Sequence, residues 1–451
     1  VLVKPAWLLT ENYLQDQMGH EEFGMYAAIF ALGYTFFPLA DLGINQFTTR
    51  LVAQTKTFHA RVFEMVWNTK SVLSLLYSIL FLVLGFFLGY PIETVALVTS
   101  YFVFLSYSML FRGYFQADQR FLTDGLASVL DRLFLMGAIW FFLPSTAFRY
   151  AIITLVTGIM AFVTVGLIFW LRYRVRIVFH FRFFKGIVRR AFPFAVMALF
   201  AAVNERIEPV FVEQIGGAYE TGLYVGAYRW ISAVSMYIWT ILPYFYARFS
   251  HIPRAHIQQH ANLLNTGILI VGLPILGFWG LTYTMGEKFF FLFQNSSEQE
   301  ILYMKKVLVV LAIGLTLNAF FNVFSTYLTA TGYEKRVNLL LFFSVVFHVI
   351  VSCGSIFMWK GLGGAIAYSA TLFFTSVGYV YLVEQHTPLP VPWKLLFKIF
   401  LLAFLFVLFT LWIGQWELPW YKKGLIQLTL LGMLGLFFCK KEVFQALRTK
   451  E

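Results

Sequence analysis

The chain is 451 residues long, 60% hydrophobic and only 12% charged, with a mean hydropathy of +0.74, whereas soluble domains carry about 25% charged residues; a soluble fold is excluded because it could not hide so much apolar surface. The net charge of +12 would suit a nucleic-acid partner, but the Lys and Arg residues alternate with apolar runs and form no single patch, so nucleic acid is excluded too. With two cysteines, Cys353 and Cys439, a disulfide framework and a thiolate metal site are also ruled out.

A helix that spans a bilayer needs about 20 apolar residues. In chain order such runs lie near 24–47, 69–90, 92–113, 124–144, 150–171, 191–213, 222–247, 262–285, 305–328, 337–358, 362–383, 395–413 and 422–439. A partial run at 1–18 carries Lys4, Glu11 and Asp16 and no cleavage site, so it reads as a first helix and not as a secretory signal. Because Val1 already lies inside that run, the first helix is expected to be N-terminally incomplete. The expectation is an all-α integral membrane protein of about fourteen transmembrane helices. Pro193, Pro243 and Pro274 each remove a backbone donor inside a run, and bends are expected there.

Orientation follows from the basic residues. With the N-terminus in the cytoplasm, the inner side receives 50–70, 112–132, 172–190, 248–254, 335–336, 394–398 and the tail from 440, which together hold most of the 34 Lys and Arg residues, as the positive-inside bias requires. Both termini are then cytoplasmic. The stretch 172–190 alone carries seven cations and reads as a headgroup-facing linker. It separates a first half, 1–171 with helices 1–6, from a second half, 191–385 with helices 7–12. Two further helices and a tail fill 386–451.

The halves share an internal similarity. Gln17-Met-Gly-His-Glu-Glu-Phe-Gly-Met-Tyr26 recurs as Gln214-Ile-Gly-Gly-Ala-Tyr-Glu-Thr-Gly-Leu-Tyr224 with one inserted residue, each at the first hairpin of its half. Internal repeats of this kind build two-lobed transporters around a midplane site.

Gly19-His-Glu-Glu-Phe-Gly-Met-Tyr26, then Leu39-Ala-Asp-Leu-Gly-Ile-Asn45 and Thr49-Arg-Leu-Val-Ala53, resemble the opening motifs of the Wzx-like polysaccharide flippases of the MOP exporter superfamily. Pro193-Phe-Ala, Arg206-Ile-Glu208 and Gly222-Leu-Tyr-Val-Gly-Ala-Tyr-Arg229 are similar to motifs of the second half of that family, and the resemblance spans about 1–385. It implies two pseudo-repeated six-helix lobes around a central cavity, two added C-terminal helices, and alternating access. It also implies a substrate class, an undecaprenyl-diphosphate-linked oligosaccharide for lipopolysaccharide O-antigen, capsule or exopolysaccharide, carried across the bacterial inner membrane. The implied partners are that lipid-linked oligosaccharide, membrane lipids, and a polysaccharide polymerase with other assembly proteins.

Ionisable residues at membrane depth cost about 2.5–3.5 kcal/mol on insertion scales and are functional candidates by default. Arg206, Arg229 and Lys4 are the candidate cavity cations, because Arg binds diphosphate oxygens through a bidentate fork and Lys as a point charge. Arg206 and Arg229 sit on helices joined by a short loop, so their guanidinium groups are able to face one cavity at one level. Glu205, Glu208 and Glu11 are candidate counter-ions or coupling acids, and the plainer reading is that Glu205, Arg206, Glu208 and Arg229 neutralise one another. Asp41 and Asn45, near the inner end of the second helix, read as gate residues or as a helix cap paired with Arg50. Asn318 and Asn322, one turn apart, read as interhelical hydrogen-bonding or polar cavity residues.

Two other functions compete. A MATE-type drug or metabolite exporter of the same superfamily would want acids and aromatic rings for a cationic cargo. A membrane glycosyltransferase, polymerase or ligase would want a large outer loop, and the longest here, about 286–303, has no metal-ligand spacing. The sequence holds no nucleotide-binding loop and no catalytic constellation, so the expectation is a transporter without enzymatic activity, cofactor or metal.

Overall fold

The computed structural model describes residues 3–54, 59–173, 175, 199, 200, 202–204 and 206–448, of which 4, 46, 54, 59–61 and 439–448 are described by backbone alone. Among these residues the regular structure is helical throughout. The linker 172–190 apart from 172, 173 and 175, and residues 191–198, 201 and 205 of the run at 191–213, Pro193 and Glu205 among them, lie outside the described residues, as does the side chain of Lys4. The chain forms two compact units, Val1–Gly222 and Leu223–Glu451.

The first unit holds α1 (Val3–Met18), α2 (His20–Phe36), α3 (Pro38–Asp41), α4 (Ile44–Gln54), α5 (His59–Phe87), α6 (Ile92–Ala117), α7 (Phe121–Ala127), α8 (Leu130–Phe142), α9 (Ala147–Tyr173) and α10 (Glu208–Gly216). The next helix, α11 (Ala218–His251), begins there and runs on into the second unit. That unit continues with α12 (Ile257–Met285), a 3-10 turn at Gly286–Phe290, α13 (Glu298–Ala330), α14 (Glu334–His386), α15 (Trp393–Gly414) and α16 (Trp420–Arg448). Nine helical stretches among the described residues are long and apolar enough to cross a membrane. The protein is a multi-pass membrane protein.

The apolar run expected at 24–47 is not one helix but three. Pro38 opens α3 and has no N–H for the preceding turn. Leu42 (φ 45) and Gly43 (φ 76) then take left-handed conformations that stop α3 and restart the chain as α4. Pro243 and Pro274, by contrast, are carried inside α11 and α12.

α14 counts 53 residues, about 80 Å if straight at 1.5 Å per residue, far more than the roughly 30 Å of hydrocarbon it would cross. It is broken at Lys360 (φ 49, ψ −126), and its two arms fold back on each other. The Ser355 hydroxyl donates to the Gly363 carbonyl at 2.8 Å, His348 Nδ1 lies 2.8 Å from Thr371 Oγ1, and the Phe347 ring stacks on Phe374 at 4.7 Å. The two runs read from the sequence at 337–358 and 362–383 are these arms. In lipid, helices gain little from leaving an apolar solvent, so cohesion rests on close packing and hydrogen bonds. Ser369 shows both: its hydroxyl donates to the Val310 carbonyl at 2.8 Å, and it sits against Gly314, where a Cβ would collide with it.

Candidate functional site

The two similar hairpins share one backbone solution. Gly19 turns the chain from α1 into α2 with φ 85 and ψ 156, and Gly217 turns it from α10 into α11 with φ 94 and ψ 164. These are values that only glycine adopts at low cost. The flanking bonds match: Gly19 N–H to Gln15 O at 3.0 Å and Phe23 N–H to Gly19 O at 3.2 Å, against Gly217 N–H to Glu213 O at 2.9 Å and Thr221 N–H to Gly217 O at 3.1 Å. Gly19 therefore corresponds to Gly217, and Glu22, Gly24 and Tyr26 correspond to Glu220, Gly222 and Tyr224 at the same offset. The inserted residue lies before the turn.

The corresponding glycines also meet. A Cβ on Gly24 would overlap the backbone of Ala218 and Gly222, and a Cβ on Gly222 would overlap the backbone of His20. Since His20 corresponds to Ala218, the crossing of α2 with the first turn of α11 is reciprocal. Buried Gln15 fastens it, its amide donating to the Gly222 carbonyl at 2.7 Å and lying 2.9 Å from His20 Nδ1. Nearby, Gln214 at the end of α10 donates to the Leu88 carbonyl at 3.1 Å. Tyr90 follows in the same turn, where burial and the Glu213 carboxylate push its phenol above the ordinary tyrosine range.

Arg206 stands two residues before α10. Its guanidinium carbon lies 4.8 Å from the centre of the Tyr34 ring, near the C-terminal end of α2. Glu208, in the first turn of α10, is buried at 3% exposure. Glu11 lies on α1, half-buried, beside the buried residues Asn12, Gln15 and Asp16. In the second unit, Arg229 is buried at 8% exposure on α11. Its neighbour Tyr228 stacks with Tyr224 at 5.8 Å and sets its edge against Tyr368 of α14 at 5.7 Å. Arg229 thus lies buried within a helix, and Arg206 is half-buried two residues before one.

Asp41 takes a partner other than the expected Arg50. Lys70 Nζ donates to Asp41 Oδ1 at 2.6 Å and to Asn45 Oδ1 at 3.2 Å, and the Asn45 N–H approaches Asp41 Oδ2 at 3.4 Å. Lys70 is fully buried inside α5; it is not a cation of the 50–70 loop. The physical reason is the break at Leu42–Gly43, which leaves Asp41 facing the neighbouring helix and in need of a buried counter-charge. Asn322 Nδ2 donates to Asn318 Oδ1 at 3.1 Å along α13, a bond within one helix. Lys70 and Tyr34 are the two site residues that sequence reading misses. A charge at the edge of an apolar run was the one signal for Lys70.

Among the described residues no group of three or more His, Cys, Asp or Glu side chains could hold a metal ion. What the arrangement offers is cations and amide groups among apolar helices, able to hold an anion or a polar headgroup. The chain is similar in fold to the lipid II flippase MurJ in an inward closed conformation, with a TM-score of 0.79 at 14% identity over 99% of this chain and 98% of that one. It is similar to an inward-facing multidrug resistance MATE family transporter of the MOP superfamily, with a TM-score of 0.68 at 15% identity over 84% of this chain and 93% of that one. A third likeness, with a TM-score of 0.58 at 16% identity over 84% of this chain and 91% of the other, is to a MOP superfamily transporter from Pyrococcus furiosus described as having a binding pocket of reverse polarity. No curated protein matches by sequence. The family model for polysaccharide biosynthesis proteins matches residues 1–252, more than half of the chain, and this leads to one assignment: the chain belongs to the polysaccharide biosynthesis protein family.

Proposed function

We propose that the protein is a flippase that carries an undecaprenyl-diphosphate-linked oligosaccharide across the bacterial inner membrane by alternating access, with both termini in the cytoplasm. The observation that supports this reading is that Arg229 is buried on α11 and Arg206 is half-buried against the Tyr34 ring, since a cation among apolar helices is costly unless it serves a charge. A diphosphate is such a charge, and a sugar chain adds hydroxyl groups for the amides of Asn45, Asn318 and Asn322. Lys4 is proposed as a third cation, and Glu205, Glu208 and Glu11 as counter-ions or coupling acids. Polysaccharide polymerase and other assembly proteins are the proposed partners. O-antigen, capsule or exopolysaccharide is the proposed destination.

One observation favours a second reading, export of a cationic drug or metabolite. Glu208 is buried, and a buried carboxylate is what a cationic cargo would seek. The two readings separate in proteoliposomes loaded with fluorescent undecaprenyl-diphosphate oligosaccharide. The flippase reading expects protein-dependent movement of the glycan to the opposite leaflet and no efflux of cationic dyes. Dye efflux without glycan movement would overturn it.

A further inference from the structure

We infer that Tyr34 is a positioning residue that presents Arg206 to the phosphate oxygens of the cargo, an inference that rests on the flippase reading above. The guanidinium carbon of Arg206 lies 4.8 Å from the centre of the Tyr34 ring, within the range at which an aromatic face attracts a cation. The ring is a fixed plate. Phe37 lies 6.3 Å from it and Phe102 of α6 meets it edge-on at 6.2 Å, and Pro38 ends α2 just beyond. Tyr34 nevertheless keeps 37% of its surface exposed, so the pair lies at the border of the packed unit and not in its core.

Stacking does two things for an arginine. It selects one orientation of a long, flexible side chain, and it covers a face of the guanidinium plane while the five N–H donors stay along the edge. The edge is the part that phosphate oxygens accept from in a bidentate pair. A lysine at 206 would keep the charge and lose both the plane and the fork. The ring face, not the phenol, supplies the attraction, so phenylalanine serves at position 34 and an aliphatic side chain of similar bulk does not.

The test is ligand binding to the purified, detergent-solubilised chain, with undecaprenyl diphosphate, undecaprenol and inorganic pyrophosphate as probes. Tyr34→Leu should weaken undecaprenyl diphosphate binding by roughly 2- to 30-fold, the range of a cation–π contact, and leave undecaprenol unchanged. Tyr34→Phe should bind as wild type. In an Arg206→Gln background, Tyr34→Leu should have no further effect, which separates positioning from a general loss of packing. Wild-type affinity in Tyr34→Leu, or independent effects of the two substitutions, would overturn the inference and leave the flippase reading standing. A wild-type protein that binds undecaprenyl diphosphate no better than undecaprenol would overturn both. Tyr34-dependent binding of pyrophosphate alone, with the lipid excluded, would keep the role of Tyr34 and remove the lipid-linked cargo.

Discussion

Lys70, fully buried in α5, donates to the Asp41 carboxylate at 2.6 Å across a break between two helices. Asp41 is itself only 18% exposed, so neither charge has bulk water to fall back on. Removing one partner of such a pair leaves the other uncompensated, at a cost of about 3–5 kcal/mol. Lys70→Met should therefore lower the melting temperature and the amount of protein in the membrane. Asp41→Asn in the same chain should restore much of both, because a neutral amide beside the methionine leaves no charge in need of a counter-ion. A double variant no better than Lys70→Met would show that the pair does not govern stability.

The crossing at Gly24 and Gly222 supports a second prediction. Alanine at either position puts a methyl group into a neighbouring backbone, so α2 and the first turn of α11 must move apart. Overpacking of this kind costs about 1–3 kcal/mol. Gly354 lies in the first arm of α14 with open space around it, and Gly354→Ala should leave stability unchanged. Thermal unfolding of the three single variants in detergent checks this, and equal melting temperatures for all three would refute the close crossing.

Much of this architecture is legible in the sequence, for physical reasons that differ by element. Apolar run length marks the helices, and the pair of runs around Lys360 foretells the two arms of α14. The motif glycines are readable because Gly19 and Gly217 answer to backbone geometry, which is local. Ion pairs and ring contacts are not local. Nothing within a helical turn of Asp41 announces Lys70, and nothing near Arg206 announces Tyr34, since each pair is closed by packing between distant segments. The break at Leu42–Gly43 is hidden for another reason: a hydropathy window averages over Pro38 and Gly43 and reports one continuous span.

Topology yields a third prediction. A reporter fused after Arg254, in the turn between α11 and α12, should read as cytoplasmic, and one fused after Ser297, before α13, as periplasmic. The single helix α12 separates the two sites, and the basic residues Arg248 and Arg254 precede its N-terminal end, the end that the positive-inside bias would assign to the cytoplasm. The reverse result would invert the chain in the membrane and place the basic linker outside.

The last prediction concerns the two arginines one at a time. If Arg206 and Arg229 hold the diphosphate of the cargo, Arg206→Ala or Arg229→Ala should leave the protein abundant in the membrane while undecaprenyl-linked oligosaccharide accumulates on the cytoplasmic side. Lysine at either position should retain part of the export, because it keeps the charge and loses the bidentate fork. The competing account, in which the arginines serve only to neutralise Glu205 and Glu208, makes a different forecast. Under it Arg206→Ala strands a buried carboxylate, Glu208 being 3% exposed, and lowers abundance by the cost of an unpaired charge. Glu208→Gln would then rescue abundance and export together. Cargo binding instead predicts that Glu208→Gln leaves the export defect of Arg206→Ala in place, since removing an acid does not return a cation to the phosphate. Measuring membrane abundance and export side by side in the single and double variants decides between them, and full export by a well-expressed Arg206→Ala, Arg229→Ala protein would remove both arginines from the cargo site.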